Sequence, residues 1–212
     1  MLGGVSWNLL LAVVPVALAY TIAWGMGKRG ASRRIPLMLN LVLGAAWLAF
    51  LPNTCYLLTE WRHLVFDRRW DAQLASGAGY QAEMLSLAKW VAFYLLYSGT
   101  GVLLFTLAIR PIARALRSSG RPSLLVALVA PAFFFLVSLG VYMGLIVRLN
   151  SWDLITRPAS VWTTLQDALT NNRLLGVIAI FALLLWVLYV LVDIWVDAVA
   201  ARFRKPAPAR SR

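Results

Sequence analysis

The stretch WLAFLPNTCYLLTEWRHL, residues 47–64, begins as an apolar run and becomes polar without losing its helical pattern. Within it, Asn53, Tyr56, Glu60 and His63 follow one another at intervals of three, four and three residues. On a helix of about 3.6 residues per turn, these four side chains fall within roughly a quarter of the circumference. The stretch therefore predicts a membrane helix that carries a polar stripe at its end.

The rest of the chain has the composition of a membrane protein. Of its 212 residues, 61% are hydrophobic and 13% are charged, and the mean hydropathy is +0.76, which is too apolar for a soluble domain. Five runs, at 5–25, 36–58, 88–109, 124–147 and 174–195, reach the ~20 residues that a helix needs to cross a bilayer. Because a backbone in hydrocarbon must satisfy its own hydrogen bonds, we predict an all-α bundle of five spans. Residues 1–202 form one transmembrane domain, and 203–212 a disordered basic tail.

The basic residues are divided unequally between the two sides of this bundle. The loops at 26–35 and 110–123 and the tail hold 13 of the 20 Lys+Arg, whereas the opposite segments hold six, and Lys89 can snorkel to that second side. The positive-inside rule then places the N-terminus outside and the C-terminus in the cytoplasm. We call the predicted extracytoplasmic side the outer end. The net charge of +12 is explained by topology, so we expect no nucleic-acid partner.

Pro52 interrupts the second span just before the polar stripe. A proline lacks the backbone N–H and frees a carbonyl about one turn earlier, here near residue 48, so we predict a kink or an opened turn. Asn53 would be able to satisfy that carbonyl. A ligand-binding role for Asn53 is the alternative, and the sequence does not decide between them.

The fourth span ends in a second polar stretch, GVYMGLIVRLNSWD, residues 140–153. Gly140, Gly144 and Arg148 recur every four residues, which predicts a flat stripe that admits a neighbouring helix and ends in a guanidinium. With Asn150 and Asp153 nearby, Arg148 suggests a phosphate or carboxylate site. The alternatives are that Arg148 only snorkels to the interface and that Asp153, or the adjacent Ser151, only caps the next helix.

Metal binding and catalysis receive little support. Glu60-x-x-His63 has the spacing that di-iron bundles use twice, but His63 is the single histidine, and further ligands would have to come from Asp153, Asp67 or Asp71. We therefore expect neither a metal nor a cofactor. Glu60 and His63 remain candidate catalytic acids or bases, although no nucleophile is identified beside them.

The two polar stretches resemble those of the DUF1361 family, bacterial membrane proteins of about this length and of unassigned function. Residues 47–64 are similar to the family's W-L-x-F-L-P-N-x-x-Y-x-x-T-D-x-x-H-L. Residues 144–158, GLIVRLNSWDLITRP, are similar to G-R-F-x-R-W-N-S-W-D-x-x-x-x-P. The resemblance implies a multi-pass protein of the bacterial inner membrane. It also implies that the following residues occupy the family's characteristic positions: Pro52, Asn53, Tyr56, His63, Arg148, Asn150, Ser151, Trp152 and Asp153.

Three positions depart from that family pattern. Glu60 stands where an aspartate is usual, a change that keeps the negative charge. Leu145 replaces an arginine and Leu149 replaces a tryptophan, so one of two guanidiniums is missing from the neighbourhood of Arg148.

The leading hypothesis is a binding site for a lipid headgroup or a cell-envelope protein at the outer end. An enzyme that acts on a lipid-linked substrate is the second hypothesis, and a transporter subunit is the third. We expect the guanidinium of Arg148 to lie within direct or one-water reach of Glu60, Asn53 or Asp153. The predicted binding residues are Asn53, Tyr56, Glu60, His63, Arg148, Asn150, Trp152 and Asp153.

The sequence also predicts the structure of the second outer loop and the partners of two acidic residues in the last span. Val161, Leu165 and Leu169 recur every four residues and predict a short helix lying on the membrane within residues 159–170. Asp193 and Asp197, one turn apart at the inner end of the last span, are expected to pair with Arg202 or another basic residue nearby.

Overall fold

The computed structural model describes residues 2–27, 36–60, 80–118 and 123–203, and within these ranges it is helical with no strand. We number the helices of these ranges in chain order: α1 (Leu2–Gly27), α2 (Leu37–Phe50), α3 (Pro52–Thr59), α4 (Tyr80–Ser118), α5 (Ser123–Leu145), α6 (Asp153–Thr156), α7 (Pro158–Thr170) and α8 (Asn172–Phe203).

The predicted all-α architecture with five spans is confirmed. In the described ranges, five helical segments are long and apolar enough to cross a membrane: Val5–Met26, Leu37–Thr59, Met84–Ser118, Leu128–Leu145 and Asn172–Phe203. Helix α8 includes Phe203, the first residue of the predicted tail, and 204–212 lie outside the described residues. The orientation of the bundle in the membrane stays a prediction.

Helix α3 is the centre of the bundle. It packs against α1, α4 and α5, and five of its eight residues are buried: Pro52, Asn53, Thr54, Cys55 and Leu57. Leu51 and Cys55 belong to the main core cluster, together with Phe105 of α4, Val137 of α5 and Leu185 of α8. The second span therefore ends inside protein, surrounded by three other spans.

The other half of the second span has the opposite surroundings. Helix α2 has no buried residue, and Leu37, Met38 and Val42 are at least 63% exposed. Large exposed apolar side chains also cover α8, where Ile180 and Ile194 are examples. Apolar surface of this extent is typical of helices that face lipid hydrocarbon.

The short helix predicted within residues 159–170 is present as α7, but its apolar face differs from the prediction. Ala168 is buried against Leu139 of α5 and Ile178 of α8, with Leu165 beside it, whereas Leu169 is 48% exposed. Helix α7 thus packs on the bundle through residues 165 and 168, because neighbouring spans offer a closer apolar surface than the interface does.

Candidate binding site at the outer end

The second span breaks at Leu51, as Pro52 predicts. Helix α2 ends at Phe50 and α3 begins at Pro52. The Leu51 N–H still donates to the Trp47 carbonyl at 2.9 Å, and the Thr54 N–H then donates to the Leu51 carbonyl at 3.1 Å. The shorter-range bond tightens the turn between α2 and α3.

The two polar stretches of the sequence meet at this break. The Ser151 hydroxyl, in the loop after α5, donates to the Ala49 carbonyl at 2.8 Å. The Asn53 side-chain amide in turn donates to the Ser151 hydroxyl oxygen at 3.5 Å. The expectation that Asn53 would satisfy an open carbonyl is therefore corrected, because Ser151 binds the Ala49 carbonyl and Asn53 supports Ser151.

The glycine stripe admits a close neighbour, as predicted, and this neighbour is the second span. A Cβ added at Gly140 would lie 2.6 Å from Cγ of Pro52, and one added at Gly144 would lie 1.5 Å from the Tyr56 hydroxyl oxygen. Both distances are shorter than any real Cβ contact, so Pro52 lies against Gly140, and the Tyr56 hydroxyl against Gly144, because these residues have no side chain. The second and fourth spans lie side by side with their C-terminal ends at the same end of the bundle.

Asp153 has a structural role, but not as the predicted helix cap, because it is the first residue of α6 and no side chain caps this helix. It is 4% exposed, accepts the Asn150 N–H at 2.7 Å and accepts the Thr156 hydroxyl at 3.1 Å. The Asn150 N–H is the main group that holds the pKa of this carboxyl below its usual range, and Thr156 and Arg157 act in the same direction. Burial acts in the opposite direction. Asp153 thus fixes the turn that carries Asn150 and Ser151.

Arg148 makes none of the expected direct contacts, and contact through one water stays a prediction. In the described part of the chain it has no ion pair or hydrogen bond with Glu60, Asn53 or Asp153, and Asp153 instead lies 3.7 Å from Nε of Arg157. The side chain of Arg148 is exposed, and its backbone has a φ of 62°. A non-glycine residue in this left-handed region is strained, a feature that recurs at functional sites.

Glu60 belongs to a different neighbourhood from Arg148. The Asn8 side-chain amide of α1 donates to Glu60 Oε1 at 3.3 Å, and the buried Tyr97 of α4 lies close to both. The predicted stripe is therefore divided, since Asn53 and Tyr56 face α5 whereas Glu60 faces α1 and α4. Sequence reasoning missed Asn8 and Tyr97; the available signal was an amide in an otherwise apolar first span.

Several of the residues that were considered as metal ligands lie outside the described part of the chain. His63, Asp67 and Asp71 are outside the described residues. Among the residues that are described, no three of the His, Cys, Asp and Glu side chains come close enough to hold a metal ion. The structure describes three other predicted binding residues, Tyr56, Asn150 and Trp152. Of these, Tyr56 and Asn150 line a cleft between the second span, α5 and α7.

This cleft lies between the second span, α5 and α7 and has a volume of about 350 Å³. Its polar side chains, Tyr56, Asn150 and Ser151, lie at the outer end, and the remainder of its wall is apolar. The lining residues are Ala45, Leu48, Ala49, Pro52, Tyr56, Leu136, Leu139, Gly140, Met143, Gly144, Leu149, Asn150, Ser151, Leu154, Val161 and Leu165.

A second depression, of about 570 Å³, is wide and open and lies at the turn between α7 and α8. Its polar residues are explained by helix capping: Asn171 Oδ1 accepts the Arg173 N–H at 3.1 Å and the Leu174 N–H at 3.2 Å. We therefore take the smaller, deeper cleft as the candidate site.

The opposite end of the bundle contains an ion cluster between α4 and α8. Arg110, 5% exposed, places Nε 3.3 Å from Asp193 Oδ1, and both Arg110 and Arg114 pair with Asp197. Asp193 and Asp197 therefore pair with basic residues, as expected, but within the described residues these are Arg110 and Arg114 and not Arg202. Helix α4 continues to Ser118, so Arg110 lies on a helix and not in the predicted loop.

Comparison with known proteins gives one family. The model of the family described as protein of unknown function (DUF1361) matches residues 7–188. Neither a curated protein nor a solved structure matches the chain.

Proposed function

Because the chain belongs to the DUF1361 family, whose description names no function, we propose a function from the geometry of its outer end. This integral membrane protein binds the polar headgroup of a membrane lipid beside the contact between its second and fourth spans. The observation that carries the proposal is the cleft of about 350 Å³, which combines a long apolar wall with polar side chains at one end. Pockets that bind small molecules have this combination.

The polar groups at that end have hydrogen-bonding capacity for a ligand. Within the described residues, the Tyr56 hydroxyl makes no hydrogen bond, and Asn150 is exposed. Arg148, two residues before Asn150, adds a permanent positive charge. Trp152 is 46% exposed and marks the height of the headgroups, where tryptophan is enriched.

The location follows from the same proposal. We place the protein in the bacterial inner membrane, with the cleft opening toward the extracytoplasmic side. Reporter fusions after residues 70 and 160 should behave as extracytoplasmic, and fusions after 30, 117 and 205 as cytoplasmic, because the basic residues are concentrated on the second set of segments. An inverted pattern would move the site to the cytoplasmic face.

The binding proposal is tested by measuring which lipids stay on the purified protein in native mass spectrometry. Arg148→Gln should retain less anionic lipid than the wild type. Arg148→Lys should also retain less, since an ammonium lacks the planar fork that grips a phosphate from two sides. Arg173→Gln, which removes an exposed arginine at the α7–α8 turn, is the matched control. Equal retention by all four proteins would contradict the proposal.

A further inference from the structure

The cleft is elongated along the direction of the spans. Its wall on the second span runs from Ala45 to Tyr56, a separation that corresponds to about 16 Å at ~1.5 Å per residue. On α5 the wall runs from Leu136 to Gly144, about 12 Å by the same measure. An elongated apolar space parallel to membrane helices has the shape of an extended hydrocarbon chain and not that of a compact metabolite.

The volume limits how much of a lipid enters. The cleft holds about 350 Å³, near the lower end of the ~300–1,000 Å³ of ligand pockets, so it accommodates one chain and not a whole lipid with two. A partly open apolar space beside hydrocarbon does not stay empty, because its lining would lose dispersion contacts that a chain supplies. The chain is already in an apolar medium in the bilayer, so the affinity has to come from the polar end.

The charge at the polar end selects the headgroup. Arg148 is exposed and has no ion pair within the described residues, and it immediately precedes Leu149, which lines the cleft. The nearby acid Asp153 is buried, hydrogen-bonded and next to Arg157. Among the described residues, the local excess of charge is therefore positive, which is complementary to a phosphate.

We propose that the cleft holds one acyl chain of an anionic glycerophospholipid, with its phosphate at Arg148 and its glycerol region beside Tyr56 and Asn150. This inference rests on the proposed headgroup site and adds the position of the chain and the sign of the headgroup charge.

The test uses two photoreactive phosphatidylglycerols, one with a diazirine in an acyl chain and one with it in the headgroup, added to full-length protein in nanodiscs. The acyl probe should label peptides within 136–144 and 161–165, and the headgroup probe should label 148–152. Leu165→Trp fills the cleft and should abolish acyl labelling. Leu183→Trp, at an exposed position of α8, is the matched control and should leave it unchanged.

Unlabelled phosphatidylglycerol should compete about fivefold better than phosphatidylcholine with the same chains, and Arg148→Gln should remove that difference, as expected for one basic residue near a membrane surface. Equal competition in the wild type would overturn the anionic assignment. Val161→Trp, on the same wall, repeats the cleft-filling test if Leu165→Trp does not fold.

The two proposals fail in different ways. In one outcome, the headgroup probe labels 148–152 and Arg148→Gln removes this labelling, but neither Leu165→Trp nor Val161→Trp reduces the labelling by the acyl probe. The headgroup site is then supported and the chain inference is wrong. If neither probe labels these segments more strongly than it labels the lipid-exposed peptides of α8, both proposals are wrong.

Discussion

The two ends of the bundle are held together by different interactions. At the inner end, Arg110 is buried between α4 and α8 and its charge is neutralised by Asp193 and Asp197. At the outer end, the contacts around α3 depend on glycines: Gly101 of α4 and Gly140 of α5 leave no room for a Cβ beside it. One end uses charge pairs and the other uses close backbone approach.

This difference separates stability from binding capacity. The inner charges are engaged with one another, so they have little left to offer a ligand. The outer end is held by small residues, the Ser151 hydroxyl and the buried Asp153. Arg148 and the Tyr56 hydroxyl have no partner there in the described residues. The comparison predicts that inner-end substitutions act mainly on folding, and that Arg148 substitutions act mainly on lipid binding.

The largest effect on stability is expected from Arg110→Leu. Removing one partner of a buried ion pair leaves uncompensated charge, here on Asp193, whereas Asp197 keeps its pair with Arg114. We expect a loss of about 3 kcal/mol of unfolding free energy, the low end of the usual range, because Asp197 is exposed and still paired. Thermal unfolding in detergent measures it. Arg114→Gln, at an exposed pair, should cost less than about 1 kcal/mol. Equal effects of the two variants would show that burial of the inner cluster does not matter.

Gly101→Ala tests the outer end in the same assay. The added Cβ would lie 2.7 Å from Leu57 Cβ and 3.0 Å from the Thr54 carbonyl oxygen, so α3 and α4 must separate, at a cost of about 2 kcal/mol. Gly144→Leu should also destabilise, because the new side chain would occupy the position of the Tyr56 hydroxyl. Gly99→Ala has no atom within 4 Å of its new Cβ and should be neutral or slightly stabilising. If Gly101→Ala is as stable as Gly99→Ala, close packing does not hold the outer end.

Ser151→Ala gives the smallest of the three effects. It removes the hydroxyl that binds the Ala49 carbonyl at the break in the second span, and we expect a loss of about 1 kcal/mol. Ser118→Ala, at an exposed helix end, is the control and should lie within about 0.5 kcal/mol of the wild type. A Ser151→Ala protein that unfolds at the wild-type temperature would mean that the break does not need this hydrogen bond.

The sequence predicted the parts of this architecture that depend on one helix at a time. Five apolar blocks gave five spans, Pro52 gave the break, and the glycine spacing gave a close helix contact. It did not predict partners across the bundle. Because α3 is packed on several sides, a stripe covering a quarter of its surface meets different neighbours, and Glu60 turned to Asn8 and not to Arg148. Pairing of Asp193 with a basic residue was predicted, but Arg110 was not identified as that residue, since the length of α4 beyond the hydrocarbon was not visible from hydropathy.

The position of Cys55 has an experimental consequence. It is the one cysteine of the chain, it is fully buried, and it lies on α3 within the core that α4, α5 and α8 share. A maleimide can therefore alkylate the native protein only while α3 is transiently displaced from its neighbours. The rate of that alkylation reports how often the centre of the bundle opens, in unmodified protein and in its own membrane.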